Sequence, residues 1–173
     1  MRYRLAHLAL LAALALPGAA RGEGRPLPWF GLRLEGLIAS NSGAPSTPTA
    51  GGVGAYALFD GREFLADVSA DLFGGDNAQF FTMGLGVYYP FALRPVAPYA
   101  GGGLRLGYTK FGGGGTFGLI PCLAAGLLFG REGYVQVRTE VSFFFAASSE
   151  STKGPPSASW HSNGPMLSLG LAF

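Results

Sequence analysis

After its first two dozen residues, this chain repeatedly places large apolar residues at every second position and small or polar residues between them. Side chains alternate sides along a strand and recur every 3.6 residues on a helix, so a period of two dictates strands with one apolar face. Seven segments show it: Trp29–Ala39, Glu63–Phe73, Gln79–Tyr89, Pro98–Thr109, Phe117–Phe129, Tyr134–Phe145 and Pro165–Phe173. An eighth, Gly51–Phe59, carries a softer version built from small residues. In Tyr134–Phe145 the alternation is sharpest, with Val135, Val137, Thr139, Val141, Phe143 and Phe145 against Gln136, Arg138, Glu140 and Ser142. Phe117–Phe129 is apolar almost throughout, and Pro121 within it is expected at a bulge or strand end, because proline cannot donate to a ladder.

The connections differ in kind. Asp60-Gly61-Arg62 reads as a tight hairpin turn, Pro90–Val96 turns the chain, and Gly130–Gly133 makes another short reversal. Ser40–Ala50 and Ala146–Gly164 are long and polar, while Gly74–Ala78 and Gly112–Gly115 are modest. Short turns therefore follow the second, fourth and sixth strands, and longer loops follow the odd ones. An even number of strands with that asymmetry suits a closed up-and-down barrel, both strand termini at its short-turn end.

Alternation alone does not say which face looks inward, since a soluble lipocalin-like barrel shows the same pattern with its apolar face inside. Composition decides. A water-facing surface carries roughly a quarter or more charged residues, yet this chain has 13% overall. Its polar face is instead rich in Gly84, Gly86, Gly101, Gly103, Gly107 and Gly170, which suit a crowded lumen. Trp29, Tyr89, Tyr108, Phe145 and Phe173 fall near strand ends, where an aromatic girdle is expected. The fold predicted is all-β: an eight-stranded antiparallel up-and-down transmembrane β-barrel.

Residues 1–20 read as a signal peptide. Arg2 and Arg4 precede an apolar run, Leu5–Leu16, followed by Pro17, Gly18, Ala19 and Ala20, with cleavage expected after Ala20 and Gly22 as the second choice. That run is too short for the ~20 residues of a membrane helix. Residues 21–173 form the barrel domain. From Arg21 onward acids and bases balance, so the formal charge of +2 belongs to the leader and nucleic acid is not an expected partner. Cys122 is the single cysteine, which excludes an internal disulfide and any cysteine metal cluster.

Leu167, Leu169, Leu171 and Phe173, apolar at alternate positions up to a final aromatic, resemble the C-terminal signature of Gram-negative outer-membrane β-barrel proteins. With all eight strands, the chain is similar to the small OmpA/OmpX-like class. The resemblance implies an outer-membrane location, recognition by the outer-membrane assembly machinery, contact with outer-membrane lipids, and a monomer. It carries no catalytic motif onto this chain.

An eight-stranded barrel is only wide enough for side chains to fill it. Arg33, Glu35, Asp67, Asp71, Arg105, Arg138 and Glu140 should therefore meet inside. Ions away from water must pair or be solvated, so either a salt-bridge network plugs the lumen or these groups keep it polar and wet. No catalytic residue, cofactor site or metal site is assigned. His161, beside Ser157, Ser159, Trp160 and Ser162 with Glu150 further off, is the one place for a Ser–His–acid arrangement, and reads more simply as a solvated loop. The glycine run 112–115 lacks the Lys-Ser/Thr ending and helix of a phosphate loop. Three functional classes follow: a structural or surface-interaction barrel with a filled lumen, a narrow pore or hydrophobic-ligand conduit, and a lipid A deacylase or acyltransferase.

Overall fold

The structure, a computed structural model, describes residues 28–41, 49–61, 63–76, 78–111, 114–131, 133–149 and 159–173. The expected signal segment lies outside them. Every regular element among the described residues is a strand. We number them β1 (Trp29–Ile38, continued by Ser40–Asn41), β2 (Thr49–Asp60), β3 (Leu65–Asp76), β4 (Ala78–Pro90), β5 (Val96–Phe111), β6 (Gly114–Phe129), β7 (Gln136–Ser149) and β8 (Ser159–Ala172). Each pairs antiparallel with the next, and β8 returns to β1, from Gly31↔Ala172 to Leu37↔Met166. Phe30 and Phe173 exchange backbone hydrogen bonds of 3.3 and 2.9 Å just beyond that ladder. Closure of β8 onto β1 pairs every strand with a neighbour on each side over part of its length, as a strand protein in lipid requires.

β1 is one strand in two pieces. Ser40↔Asn163 and Asn41↔Ser162 continue the register of Leu37↔Met166. The break falls where Ile38 would meet Pro165, a residue with no N–H to give.

Several expected boundaries move. Thr49, Gly114 and Ser159 begin their strands inside segments expected to be loops, and β7 runs on to Ser149. Polar and glycine-rich ends stay extended because a neighbouring strand supplies hydrogen-bond partners that composition does not reveal. The tight Asp-Gly hairpin is corrected. The closing pair of β2 and β3 is Asp60↔Leu65, with four residues between. Gly61 donates to the Phe64 carbonyl at 2.9 Å, so Glu63 and Phe64 belong to the turn rather than to β3. The glycine with positive φ among the described residues is Gly130, in the β6–β7 turn, at 72°. Pro121 faces outward with no shift of parity, while the β6–β7 ladder runs from Phe129↔Val137 only to Cys122↔Phe144, one residue short of it.

The two faces are opposite in kind. Leu34, Leu85, Val87, Phe117, Leu123 and Leu167 are each more than half exposed, among a continuous belt of large apolar residues. Arg33, Asp71, Arg138 and Glu140 are buried. This inverts a water-soluble protein, which rarely exposes so extensive an apolar surface. Lipid is the solvent that fits such a barrel.

Trp29 departs from the expected girdle. It shares parity with Gly31 and Arg33 and is buried inside the barrel, whereas Tyr89, Tyr108, Phe145 and Phe173 do face outward. Inward glycines mark where wall or lumen has no room. A Cβ on Gly107 would come within 2.0 Å of the Phe81 carbonyl oxygen and 2.6 Å of the Thr82 Cα, both backbone atoms that cannot step aside. Gly107→Val is expected to lose about 1–3 kcal/mol or more, read as a lower urea midpoint in lipid vesicles; an unchanged midpoint would mean the wall gives way there.

Candidate functional site

The strongest concentration of chemistry lies in the lumen, and its layering follows the inward residues of single strands. Along β1 these run Trp29, Gly31, Arg33, Glu35, Leu37; along β3, Leu65, Asp67, Ser69, Asp71, Phe73. Both pass from apolar through ionic to apolar. At the Trp29 and Phe173 end, Trp29, Leu58, Leu65, Leu128 and Ala172 pack with three tyrosines. At the far end, Leu37, Phe73, Phe80, Phe144 and Met166 close over small residues such as Ala50 and Ala78. The charges are held between these apolar layers.

All seven expected lumen residues are buried inside the barrel, and they form two groups. In the first, Arg33 grips Asp71 with Nε at 3.0 Å and Nη2 at 2.7 Å from Oδ1, a charge-assisted double contact. Arg105 Nη1 reaches the other oxygen of Asp71 at 3.1 Å, and Ser69 donates to it at 3.3 Å. Glu35 joins through charge, its Oε1 lying 3.0 Å from Arg33 Nε and 3.7 Å from Arg105 Nη2 without the alignment of a hydrogen bond. Two acids and two bases balance there.

The second group is built on Arg138. Its Nη1 meets Asp67 at 2.5 Å, its Nη2 pairs with Glu140, and its Nε donates to the Tyr99 hydroxyl at 2.7 Å. The guanidinium carbon lies 4.6, 5.1 and 5.8 Å from the ring centres of Tyr88, Tyr99 and Tyr56, within cation–π range of all three. Tyr99 donates to Glu140 at 2.9 Å and Tyr88 to Asp67 at 3.3 Å. Here two carboxylates share one guanidinium, and tyrosine hydroxyls supply the remaining donors. Thr82, Ser142 and Gln136 place buried side-chain oxygens in the same interior with no partner among the described residues, the kind of group that internal water satisfies.

A further device closes the short-turn end. Arg131, in the β6–β7 turn, makes a two-pronged bridge to Asp60 at the end of β2, both contacts 2.6 Å, and donates to the Ala92 carbonyl at 3.0 Å. One guanidinium thus ties three turns across the mouth. Sequence reading passed over this clamp and the tyrosine cage. The cage was discoverable, since Tyr56, Tyr88 and Tyr99 share the inward parity; the clamp joins residues 71 apart and leaves no local signal.

No group of three or more His, Cys, Asp or Glu among the described residues could hold a metal ion. Cys122 is inward and buried. The possible triad is redistributed: Ser159, Trp160, His161 and Ser162 lie on β8, His161 opposite Ala147, instead of on a loop, while Glu150 and Ser157 lie outside the described residues. The C-terminal signature residues Leu167, Leu169, Leu171 and Phe173 line the outward face of β8, with Leu169 opposite Leu34 and Leu171 opposite Leu32 across the closing seam.

No protein-family model matches the chain, and no curated protein matches it in sequence. Solved structures do match in fold. The crystal structure of Neisserial surface protein A, NspA, aligns over 83% of this chain and 97% of its own at 15% identity and a TM-score of 0.59. The outer-membrane enzyme PagL aligns over 80% and 97% at 12% identity and a TM-score of 0.50. At these identities the likeness is one of fold: the small, closed, eight-stranded barrel found in outer-membrane proteins.

Proposed function

We propose that this chain, which has the fold of the small eight-stranded outer-membrane barrels, is a sealed outer-membrane protein whose role is structural or surface-interacting rather than enzymatic. The observation that carries this is the filled lumen. From Arg131 and Trp29 to Phe144, the described inward side chains form packed apolar layers and paired ions that fill the interior. Both strand termini and the short turns sit at one end, so the joins after β1 and β7 stand at the other, which we assign to the outside. There the β7–β8 ribbon continues past Asn41↔Ser162 and stays paired to Ser149↔Ser159, a two-stranded stalk for whatever the β7–β8 connection presents. NspA, a surface protein by name, shares this architecture.

Purified protein in planar bilayers is expected to give no steady open-channel current, because moving an ion through requires parting buried pairs that cost several kcal/mol each to separate. Large sustained conductance would overturn the sealed reading in favour of the pore. For the surface role, replacing the stretches that join β1 to β2 and β7 to β8 by short Gly-Ser linkers should abolish adhesion to a target cell while the barrel still shifts on a gel when boiled. Adhesion that survives both replacements would count against it.

A further inference from the structure

Among the described residues the outward face is mostly apolar. From Lys110 near the far end, the register runs to Gln79 opposite it, then to Gly74, Gly51 and Gly36, one slanting row across five adjacent strands. Immediately toward the other end runs a row of bulky groups, Val53, Leu72, Phe81 and Tyr108. The step between the rows is a groove of about 650 Å³, with Gly51 and Gly74 in its floor and Gln79 and Tyr108 in its wall. That volume falls within the ~300–1,000 Å³ of small-molecule sites.

Nothing in the fold demands these glycines. A Cβ on Gly36 or Gly74 would meet no atom within 4 Å, and one on Gly51 only the Glu35 carbonyl oxygen at 3.9 Å, in contrast to the backbone collision at Gly107. None of the three has positive φ. Glycine weakens a strand it does not need to bend, so what these positions provide is the groove.

The charge at its edge, on the residue paired with Gln79 of the lining, identifies the occupant. Lys110 is the one charged residue on the outward face among the described strand side chains, and it is half-buried next to Gln79. A cation on the lipid face is costly at the bilayer midplane and tolerated at the interface, so Lys110 stands at the headgroup boundary, and the row descends from it through Gly74 and Gly51 toward Gly36 with the tilt of the strands. A long ammonium side chain there pairs with a phosphate while its methylenes lie along apolar surface. We infer that the groove is a binding site for a phosphorylated glycolipid of the outer leaflet, lipid A, one acyl chain lying over Gly51 and Gly74 and a phosphate held by Lys110 with Gln79 and the Tyr108 hydroxyl beside it. This rests on the outer-membrane assignment and on the outward placing of the far end.

The test is lipid retention by full-length protein in nanodiscs of phosphatidylcholine doped with bis-phosphorylated lipid A, dephosphorylated lipid A or phosphatidylglycerol, released gently and weighed by native mass spectrometry. Wild type should keep one bis-phosphorylated lipid A. Lys110→Gln should lower retention about tenfold, the loss of one charge-assisted contact, as should removing the lipid's phosphates. Gly51→Leu with Gly74→Leu should abolish it, and both variants should still migrate as folded barrels, since the added side chains enter open space. Equal retention by all variants, or of phosphatidylglycerol as strongly as lipid A, would overturn the site while leaving the barrel reading intact. A wild-type chain that never inserts into vesicles would overturn both.

Discussion

Arg138→Ala is expected to destabilise the barrel by about 3–5 kcal/mol, the cost of breaking a buried pair by removing one partner. Asp67 and Glu140 would be left facing each other in the lumen with their shared cation gone, and the Tyr56, Tyr88 and Tyr99 cage would lose its occupant. Arg33→Ala should cost less, because Arg105 remains 3.1 Å from Asp71 and 3.7 Å from Glu35 to hold part of the charge. The ranking separates a network of specific pairs from a merely polar interior, in which either arginine would be replaced by water at similar cost. Reversible urea unfolding in lipid vesicles measures it. Adding Asp67→Asn and Glu140→Gln to Arg138→Ala should recover much of the loss by removing the stranded charges. An Arg138→Ala protein within about 1 kcal/mol of wild type would show that the lumen is solvated well enough to need no pairing.

Leu85→Arg tests the other face. Leu85 lies mid-strand on β4, more than half exposed, with Val68 opposite on β3 and Leu104 opposite on β5. In water an exposed leucine exchanged for arginine changes stability by roughly half a kcal/mol or less. At the bilayer midplane it costs about 2–4 kcal/mol. The expected result is the larger figure in vesicles, against almost none for Tyr134→Arg in the exposed β6–β7 turn. Indifference at both positions would mean that the apolar belt does not face lipid.

Legibility was uneven for physical reasons. Strand number and face alternation were plain because a period of two is local: each residue needs only its neighbours to declare a side. The strand ends were not, since Thr49, Gly114 and Ser159 are extended by partners on other strands. The Asp60–Gly61 turn misled because a two-residue hairpin was inferred from a dipeptide, whereas the Asp60↔Leu65 pairing and the reach of Arg131 to Asp60 set the actual geometry. Trp29 was placed among girdle aromatics by its position near a strand end, although its parity already aimed it inward.

By itself, the order of residues determined that strands form, how many close the wall, and that seven ionisable side chains share one side of it. Only the closed barrel decided the pairings among them. Arg33 takes Asp71, 38 residues away, and Arg138 takes Asp67, 71 residues away. Which inward residues reach the same height depends on the stagger accumulated from strand to strand, and that stagger is set only when β8 meets β1. Alternation tells each side chain which side it lies on, and closure tells it whom it meets there.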